Sequence, residues 1–234
     1  MLSIIIPTLN EECTLPKLLE SIRSQDFKNY EIIVSDANSE DGTQQIAKKF
    51  GCILVSSKKR RPACQRNNGA KKAQGEWFLF LDADSEIPED FLKNTVREVE
   101  KKNLKAAGFY IKIKKKGYFY KFFTTALNFL FKISQCIRPT SIGVAILSNK
   151  KVHFEIGGFD ESLLVAEDYD YTYKIFKKNK IKMINSTFVY YSPRRLEREG
   201  RVKVILKWLK LTFYVLIWGP VRKKIVEYEF GNHN

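Results

Sequence analysis

The chain has 234 residues, of which 44% are apolar and 29% are charged, so it is long enough for one large domain and is neither disordered nor collagen-like. Its charge is uneven: residues 1–100 hold fourteen basic and sixteen acidic residues, whereas residues 101–234 hold twenty-seven and ten. The basic second half predicts an anionic partner such as a phosphate ligand, a membrane surface or nucleic acid.

The cysteines and the amino terminus indicate a cytoplasmic protein. The four cysteines form no CxxC pair and have no neighbouring histidine; they are Cys13, Cys52, Cys64 and Cys136. This spacing argues against a zinc site and a disulfide framework. The apolar run Leu2–Ile6 is short and is followed at once by Pro7, unlike a signal peptide. Charges interrupt every long apolar stretch, which argues against a simple transmembrane span.

The first hundred residues alternate short apolar runs with helical patterns. The predicted strands are Leu2–Ile6, Tyr30–Ser35, Cys52–Val55 and Trp77–Leu81. The predicted helices are Leu15–Ile22, Thr43–Phe50 and Pro62–Gln74. This rhythm predicts an α/β fold with a mostly parallel sheet flanked by helices, in which ligands bind at the carboxyl ends of the strands.

The second half continues this pattern and adds two apolar helical segments. We predict a helix from Pro88 to about Lys102, strands at Ala106–Lys114 and Ser141–Leu147, a helix at Glu167–Lys178, and apolar segments at Gly117–Ile137 and Val202–Val221. We therefore expect a main α/β domain over residues 1–195, in which residues 117–137 are an amphipathic, aromatic-rich insertion. Residues 196–234 would form an amphipathic helical tail.

The triplet Asp82-Ala83-Asp84 directly follows the predicted strand Trp77–Leu81. Two carboxylates at i and i+2 can bind a hard divalent cation that also bridges a diphosphate. A solvated turn that caps the next helix explains the same triplet, so this motif alone leaves both interpretations open.

Asp36 follows the second predicted strand, where a carboxylate can accept hydrogen bonds from the N–H groups of a uracil or a guanine. The adjacent Asp41-Gly42-Thr43 forms a turn and a helix start. Arg194 and Arg195 are candidates for a phosphate clamp, because the guanidinium fork pairs with phosphate oxygens at two points. A solvated charge run is the alternative for these arginines.

Six motifs occur in one order: Pro7-Thr8-Leu9-Asn10-Glu11, Asp36 with Asp41-Gly42-Thr43, Arg66-Asn67-Asn68-Gly69, Asp82-Ala83-Asp84, Gly157-Gly158-Phe159-Asp160 and Glu167-Asp168. This order resembles the family 2 inverting glycosyltransferases of the GT-A fold, over roughly residues 2–180. The tail, with Ser192-Pro193-Arg194-Arg195, resembles that of the small single-domain, membrane-associated members. The chain lacks the Gln-x-x-Arg-Trp motif of processive synthases, which favours a single sugar transfer.

The resemblance implies a role for each matched position. Pro7, Thr8, Glu11, Asp36, Arg66, Asp82 and Ala83 would bind the nucleotide-sugar donor, Asp84 would hold Mg²⁺ or Mn²⁺, and Asp168 would be the general base. Gly158, Glu167, Arg194 and Arg195 would face the acceptor or a phosphate. Asp168 also suits the first turn of a helix, which is its purely structural interpretation. A departing nucleotide diphosphate and an attacking hydroxyl need such a cation and such a base.

The two apolar segments bear on the acceptor. Lys203, Lys207 and Lys210 share one helical face of Val202–Trp218, a pattern typical of an interfacial helix, and Gly117–Ile137 is similar. Internal packing or dimerisation is the alternative. With the basic charge of the second half, the pattern predicts peripheral contact with the inner face of the cell membrane and a lipid-linked acceptor.

Two other functional classes compete with a UDP- or GDP-sugar transferase. A nucleotidyltransferase would share the sheet and the acidic site, but the chain has no Gly-rich phosphate loop after its first strand. A non-catalytic basic protein that binds a membrane or nucleic acid would explain the charge, but no recognised nucleic-acid motif is present, so we expect no nucleic-acid partner. A dinucleotide-dependent dehydrogenase is excluded by the lack of GxGxxG.

Overall fold

The structure is a computed structural model that describes residues 1–137 and 143–222. Its centre is a seven-stranded sheet in the order β3-β2-β1-β4-β6-β5-β7. The strands are β1 Leu2–Thr8, β2 Tyr30–Asp36, β3 Ile53–Ser56, β4 Trp77–Leu81, β5 Ala106–Lys112, β6 Ala145–Asn149 and β7 Ile181–Tyr190. Only β6 runs antiparallel to its neighbours β4 and β5 within this sheet. The predicted mostly parallel α/β sheet is therefore confirmed.

Helices cover both faces of the sheet. They are α1 Leu15–Arg23, α2 Thr43–Lys49, α3 Pro62–Lys72, α4 Phe91–Lys101, α5 Tyr118–Ile137, α6 Lys150–Glu155, α7 Glu167–Lys178, α8 Arg194–Arg198 and α9 Arg201–Trp218. The helices predicted in the first half are confirmed within a few residues, as are the helical interpretations of both apolar segments. Strand β6 begins at Ala145, later than the predicted Ser141, which lies outside the described residues.

Alternation along β1 divides the core into two layers. Ile4 and Ile6 point to one face, where they join the apolar sides of α1 and α4, whereas Ile5 points to the other face with α3, α6 and α7. Successive strand side chains alternate in this way, so a fully apolar strand needs a helical layer on each face.

Helix α3 lies very close to β1, and this closeness helps to set the position of the site. A Cβ atom at Gly69 would come within 2.5 Å of Cγ2 of Ile5, so a side chain there would push the helix off the sheet. Gln65 strengthens the contact, because its Nε2 donates to the carbonyl oxygens of Thr8 at 2.6 Å and Ser35 at 3.1 Å. The amino-terminal half of α3 is thereby held at the carboxyl ends of β1 and β2.

Strand β7 was not predicted, because polar residues interrupt its apolar pattern. The register against β5 shifts between Phe109 and Tyr110, which marks an irregularity in the ladder. Near this irregularity the backbone N–H groups of Asn185 and Ser186 donate to the carboxylate of Glu98, at 3.1 Å and 2.8 Å. A side chain from α4 thus satisfies the backbone that the neighbouring strand leaves unpaired.

Helices α5, α8 and α9 pack together beside the sheet. Buried Phe123, Leu196 and Val204, one from each helix, form their common cluster. Across residues 1–137 and 143–222, no helix has the length and apolar character to cross a membrane. The division into a main domain, an insertion and a tail stays a prediction, and residues 223–234 of the predicted tail lie outside the described residues.

Candidate active site

A cavity of about 510 Å³ opens where the carboxyl ends of β1 and β4 meet the amino-terminal ends of α7 and α8. Eleven of the thirteen predicted site residues line it: Pro7, Thr8, Glu11, Arg66, Asp82, Ala83, Asp84, Glu167, Asp168, Arg194 and Arg195. These residues come from both halves of the chain, and the fold brings them together around one cavity. The location agrees with the general rule for ligand sites in open α/β sheets.

Arg66 is the buried cation of this cavity. Its NH2 lies 2.8 Å from Oδ1 of Asp82 and its NH1 lies 2.7 Å from Oε1 of Glu167, while the side chain is only 3% exposed. Its guanidinium also lies over the ring of Phe159, 5.3 Å from the ring centre. Burial favours loss of the proton, but the charges on Asp82 and Glu167 outweigh it and raise the pKa of Arg66.

Asp168 lies in the first turn of α7 with both carboxylate oxygens oriented by the backbone. Oδ2 accepts a hydrogen bond from the N–H of Gly143 at 2.6 Å, and Oδ1 accepts from its neighbour Tyr169 at 2.9 Å. Burial, with the adjacent charge of Glu167, raises the pKa of Asp168 to about 7, although Arg66 acts in the opposite direction. A carboxylate with this pKa is suited to accept a proton near neutral pH.

The backbone before α7 adopts a left-handed conformation. Ala166 has a φ of 61°, a region that costs a residue with a Cβ about 1–2 kcal/mol. The side chain of Ala166 is held in a small apolar cluster with Val165 and Leu211, which offsets this strain. The turn directs Glu167 and Asp168 into the cavity.

Gly143 is a site residue that the sequence did not reveal. Its carbonyl oxygen accepts from NH2 of Arg66 at 3.3 Å, in addition to its own N–H donation to Asp168. A Cβ at this position would lie 3.0 Å from Arg66 NH2 and 3.3 Å from Asp168 Oδ2, so glycine permits the close approach. No local motif marks Gly143, because its partners lie far away along the chain.

Glu11, Asp84 and Arg194 form a second charged group in the same cavity. Arg194 lies 3.2 Å from Oε2 of Glu11 and 3.4 Å from Oδ2 of Asp84. Burial, together with the charge of Asp82, raises the pKa of Asp84 to about 6, while Arg194 lowers it. A nearby cation therefore stabilises the charged form of the Asp84 carboxylate.

The chemistry of these groups suits a hard divalent cation that is shared with a ligand. Within the part of the chain that the structure describes, no group of three or more His, Cys, Asp and Glu side chains is arranged to hold a metal by itself. Mg²⁺ is commonly bound by one or two carboxylates, with phosphate oxygens and water completing its shell. The oxygen donors at Asp84 fit that pattern, provided that a diphosphate enters with the ion.

Asp36 and Gly158 are the two predicted residues that do not line the cavity. Asp36 is buried behind it and accepts from Thr8 Oγ1 at 2.9 Å and from Gln44 Nε2 at 2.8 Å. Gly158 has a φ of 68°, and a Cβ there would lie 2.7 Å from Oδ1 of Asn67. Their assigned roles in base and acceptor binding stay predictions.

The cavity continues from its charged part between α5 and α9. We call this part the apolar limb; it is lined by Phe119, Phe122, Phe123, Ala126, Leu127 and Leu130 of α5 and by Ile205, Trp208, Leu209, Leu211 and Thr212 of α9. The charged part and the apolar limb belong to one cavity, so a ligand with a polar head and a hydrocarbon chain can reach both.

A cavity with acidic and arginine side chains at the carboxyl ends of a mostly parallel sheet is the arrangement expected of a glycosyltransferase of the GT-A fold, and comparison with known proteins agrees. The sequence profile of Glycosyl transferase family 2 matches residues 3–157. The chain belongs to this family.

Two named proteins are similar in sequence to parts of this chain. A GalNAc(5)-diNAcBac-PP-undecaprenol beta-1,3-glucosyltransferase of Campylobacter jejuni is 41% identical over 93 residues, which cover 37% of this chain and 30% of that protein. The poly(ribitol-phosphate) beta-N-acetylglucosaminyltransferase TarS of Staphylococcus aureus is 29% identical over 210 residues, covering 82% of this chain and 35% of that protein. The chain thus spans about a third of the length of these curated relatives.

A solved structure confirms the architecture. The crystal structure of S. aureus TarS 1-349 in complex with UDP superposes with a TM-score of 0.66 at 25% identity, covering 82% of this chain and 61% of that one. The expected GT-A fold is confirmed, and membership of a glycosyltransferase family favours the expected enzyme class over the nucleotidyltransferase and non-catalytic alternatives.

Proposed function

We propose that the protein is a metal-dependent, inverting glycosyltransferase that moves one sugar from a UDP- or GDP-linked donor to the hydroxyl of a lipid-linked or membrane-proximal acceptor. The observation that carries the proposal is that Asp84, Arg66 and Asp168 line one cavity. Two relatives support the finer details. TarS has been solved with UDP, and the name of the Campylobacter enzyme includes an undecaprenol-linked substrate.

The donor occupies the charged part of the cavity in this proposal. Thr8 and Glu11 at the end of β1 contact the nucleoside, and Asp82 approaches the ribose. Asp36, at the end of β2, accepts a hydrogen bond from Thr8 and shapes the base pocket through that residue. Arg66 and Arg194 bring positive charge to the diphosphate.

Asp84 would hold Mg²⁺ or Mn²⁺ together with the donor diphosphate. A bound cation of this kind neutralises the negative charge that develops on the departing diphosphate. The chain's own contribution is to fix the Asp84 carboxylate. Glu11 and Arg194 complete the charge balance around it.

Asp168 acts as the general base. The acceptor oxygen attacks the anomeric carbon on the face opposite the diphosphate, the bond from that carbon to the diphosphate oxygen breaks, and the hydroxyl proton passes to a carboxylate oxygen of Asp168. The hydrogen bonds from Gly143 and Tyr169 hold this carboxylate in position. Inversion at the anomeric carbon follows from the one-step displacement.

The protein lies on the inner face of the cell membrane through its two added helices. Each helix buries one face and exposes an apolar stripe, which comprises Tyr118, Phe122, Phe129 and Ile133 on α5 and Val202, Leu206, Leu209, Phe213 and Ile217 on α9. Lys203 and Lys210 are exposed beside the α9 stripe. Apolar stripes flanked by lysines are typical of helices at an anionic lipid surface.

A transfer assay tests the proposed function. The protein is incubated with Mn²⁺, a panel of α-linked UDP- and GDP-sugars and a polyprenyl phosphate-linked sugar acceptor, and the new linkage is assigned by its NMR coupling constant. The proposal expects a β-linked product that disappears with EDTA and in Asp168→Asn. An α-linked product, or transfer unaffected by EDTA and by Asp168→Asn, would contradict it.

A further inference from the structure

We propose that the apolar limb between α5 and α9 binds the hydrocarbon chain of the acceptor, and that arginines of the same cavity bind the phosphate next to that chain. The inference rests on the proposed function and adds to it the chemical class of the acceptor, an anionic lipid whose chain enters the protein. The occupant is therefore the substrate itself, drawn in from the membrane.

The first argument is continuity. The residues at the charged end and those of the apolar limb line one cavity of about 510 Å³. Helix α8 lies at the boundary, since its Arg194 contacts Glu11 and its neighbour Leu196 packs against α5 and α9. A ligand whose hydroxyl reaches Asp168 can therefore place its remaining atoms in the limb without leaving the cavity.

The second argument concerns the open side of the limb. Phe122, Leu130 and Leu209 line the limb and are also 75%, 55% and 58% exposed. Phe122 and Leu209 belong to the stripes that we place on the membrane. A chain can then pass from the lipid layer into the limb without crossing water, which removes the largest cost of moving it.

The third argument is charge. Arg195 and Arg198 of α8 line the same cavity, together with Arg60 from the loop before α3. Guanidinium groups pair with phosphate oxygens at two points, and they disfavour a cationic head group. This arrangement selects a phosphate-bearing lipid over a neutral or cationic one of equal chain length.

Alkyl phosphates of increasing length test the inference without a membrane. Calorimetry at concentrations below micelle formation compares inorganic phosphate with butyl, hexyl, octyl and decyl phosphate. Each methylene that enters the limb is expected to tighten binding by about fourfold, up to the length that fills it. Octyl trimethylammonium should bind at least about tenfold more weakly than octyl phosphate. Affinity that does not depend on chain length would overturn the inference.

Two matched pairs of variants locate the binding. Leu209→Asp places a charge in the limb, whereas Leu206→Asp changes a similarly exposed residue of α9 that does not line it. Ala126→Trp fills the limb from α5, and its control Thr125→Trp alters the adjacent exposed residue. Octyl phosphate binding should fall at least about tenfold in the first member of each pair and less than twofold in its control. Equal effects within both pairs would overturn the inference.

Nucleotide binding separates this inference from the proposed function. Each variant is also titrated with UDP and GDP in the presence of Mn²⁺, and all four should bind nucleotide as the wild type does. Normal nucleotide binding with no chain-length effect means that the limb is not the lipid site, while the proposed donor chemistry stands. Chain-length-dependent binding without nucleotide binding would mean that the limb is the lipid site and that the proposed donor chemistry is wrong.

Discussion

Arg194 reaches both carboxylate oxygens of Glu11, with NH1 3.2 Å from Oε2 and NH2 3.3 Å from Oε1. The two residues lie 183 positions apart, so this ion pair joins helix α8 to the loop after β1. NH2 also lies 3.4 Å from Asp84, which places a fixed cation beside the proposed metal ligand.

This pairing predicts that Arg194 opposes the entry of a metal ion when no nucleotide is bound. We expect Arg194→Ala to bind Mn²⁺ alone at least about fivefold more tightly than the wild type, because removal of a nearby positive charge lowers the repulsion. Calorimetric titration with Mn²⁺ measures the effect, with Arg97→Ala on the exposed face of α4 as control. Unchanged or weaker Mn²⁺ binding in Arg194→Ala would contradict the prediction.

Asp168 predicts the pH dependence of the reaction. Because its pKa is raised to about 7, the carboxyl is protonated in acid and becomes a base only as the pH rises through that value. We expect kcat/KM to increase from pH 5.5 to pH 8, with the midpoint of the increase near pH 7. Asp168→Asn should lose about 10²–10⁴-fold in rate and should also lose this pH dependence. The same increase with pH in the residual activity of Asp168→Asn would show that another group is the base.

The same raised pKa predicts that the stability of the fold falls as the pH rises, whereas the activity increases. The folded state holds the proton of Asp168 more tightly than the unfolded chain does, so wild-type stability falls as the pH rises from about 4 to about 7. Asp168→Asn lacks this titration. Thermal unfolding should therefore show the melting temperature of Asp168→Asn rising relative to the wild type between pH 5 and pH 8. A difference that stays constant over this range would contradict the burial argument.

We expect that replacing Arg66 by an uncharged residue strongly lowers the free energy of unfolding. Arg66→Gln leaves Asp82 and Glu167 without their cation, and breaking a buried ion pair from one side costs about 3–5 kcal/mol. Urea denaturation measures the free energy of unfolding. The control is Arg60→Gln, whose ion pair with Glu40 is exposed and should contribute less than about 1 kcal/mol. Similar losses in both variants would refute the special position of Arg66.

The apolar stripe on α9 predicts binding to anionic vesicles. Leu206→Asp combined with Phe213→Asp should weaken sedimentation with vesicles of phosphatidylglycerol and phosphatidylcholine by at least about tenfold, because two large side chains then no longer enter the lipid. Phe176→Asp changes an exposed aromatic residue of α7 outside the stripes and should leave binding within twofold. Wild-type protein that does not sediment with these vesicles at low salt would contradict the membrane assignment.

Local patterns were enough to predict the first half of the fold. Strand β4 and the acidic triplet after it are contiguous, so one apolar run followed by Asp82 and Asp84 predicted both an element and a site. Strand β7 escaped prediction, because the irregularity in its register and its polar residues obscure the alternation on which a strand prediction depends.

The site was predictable as a set of residues but not as a set of contacts. Arg66 and Glu167 are 101 positions apart, and nothing near either one shows that they form an ion pair. Gly143 matters through a backbone N–H and a missing Cβ, which leave no mark on local pattern. The apolar limb depends on how α5 packs beside α9, and periodicity alone could not tell a membrane face from an internal one.

The most direct test of the account is a titration of UDP and GDP into the wild type, Asp84→Asn and the exposed control Asp90→Asn, each with Mn²⁺ and with EDTA. The account predicts that one nucleotide binds to the wild type and to Asp90→Asn with Mn²⁺, and that EDTA or Asp84→Asn weakens this binding at least about tenfold. At about 100 times its Kd the nucleotide should stabilise the fold by about 2.7 kcal/mol. Binding of neither nucleotide to folded protein, or equal binding to Asp84→Asn and the wild type, would contradict the account.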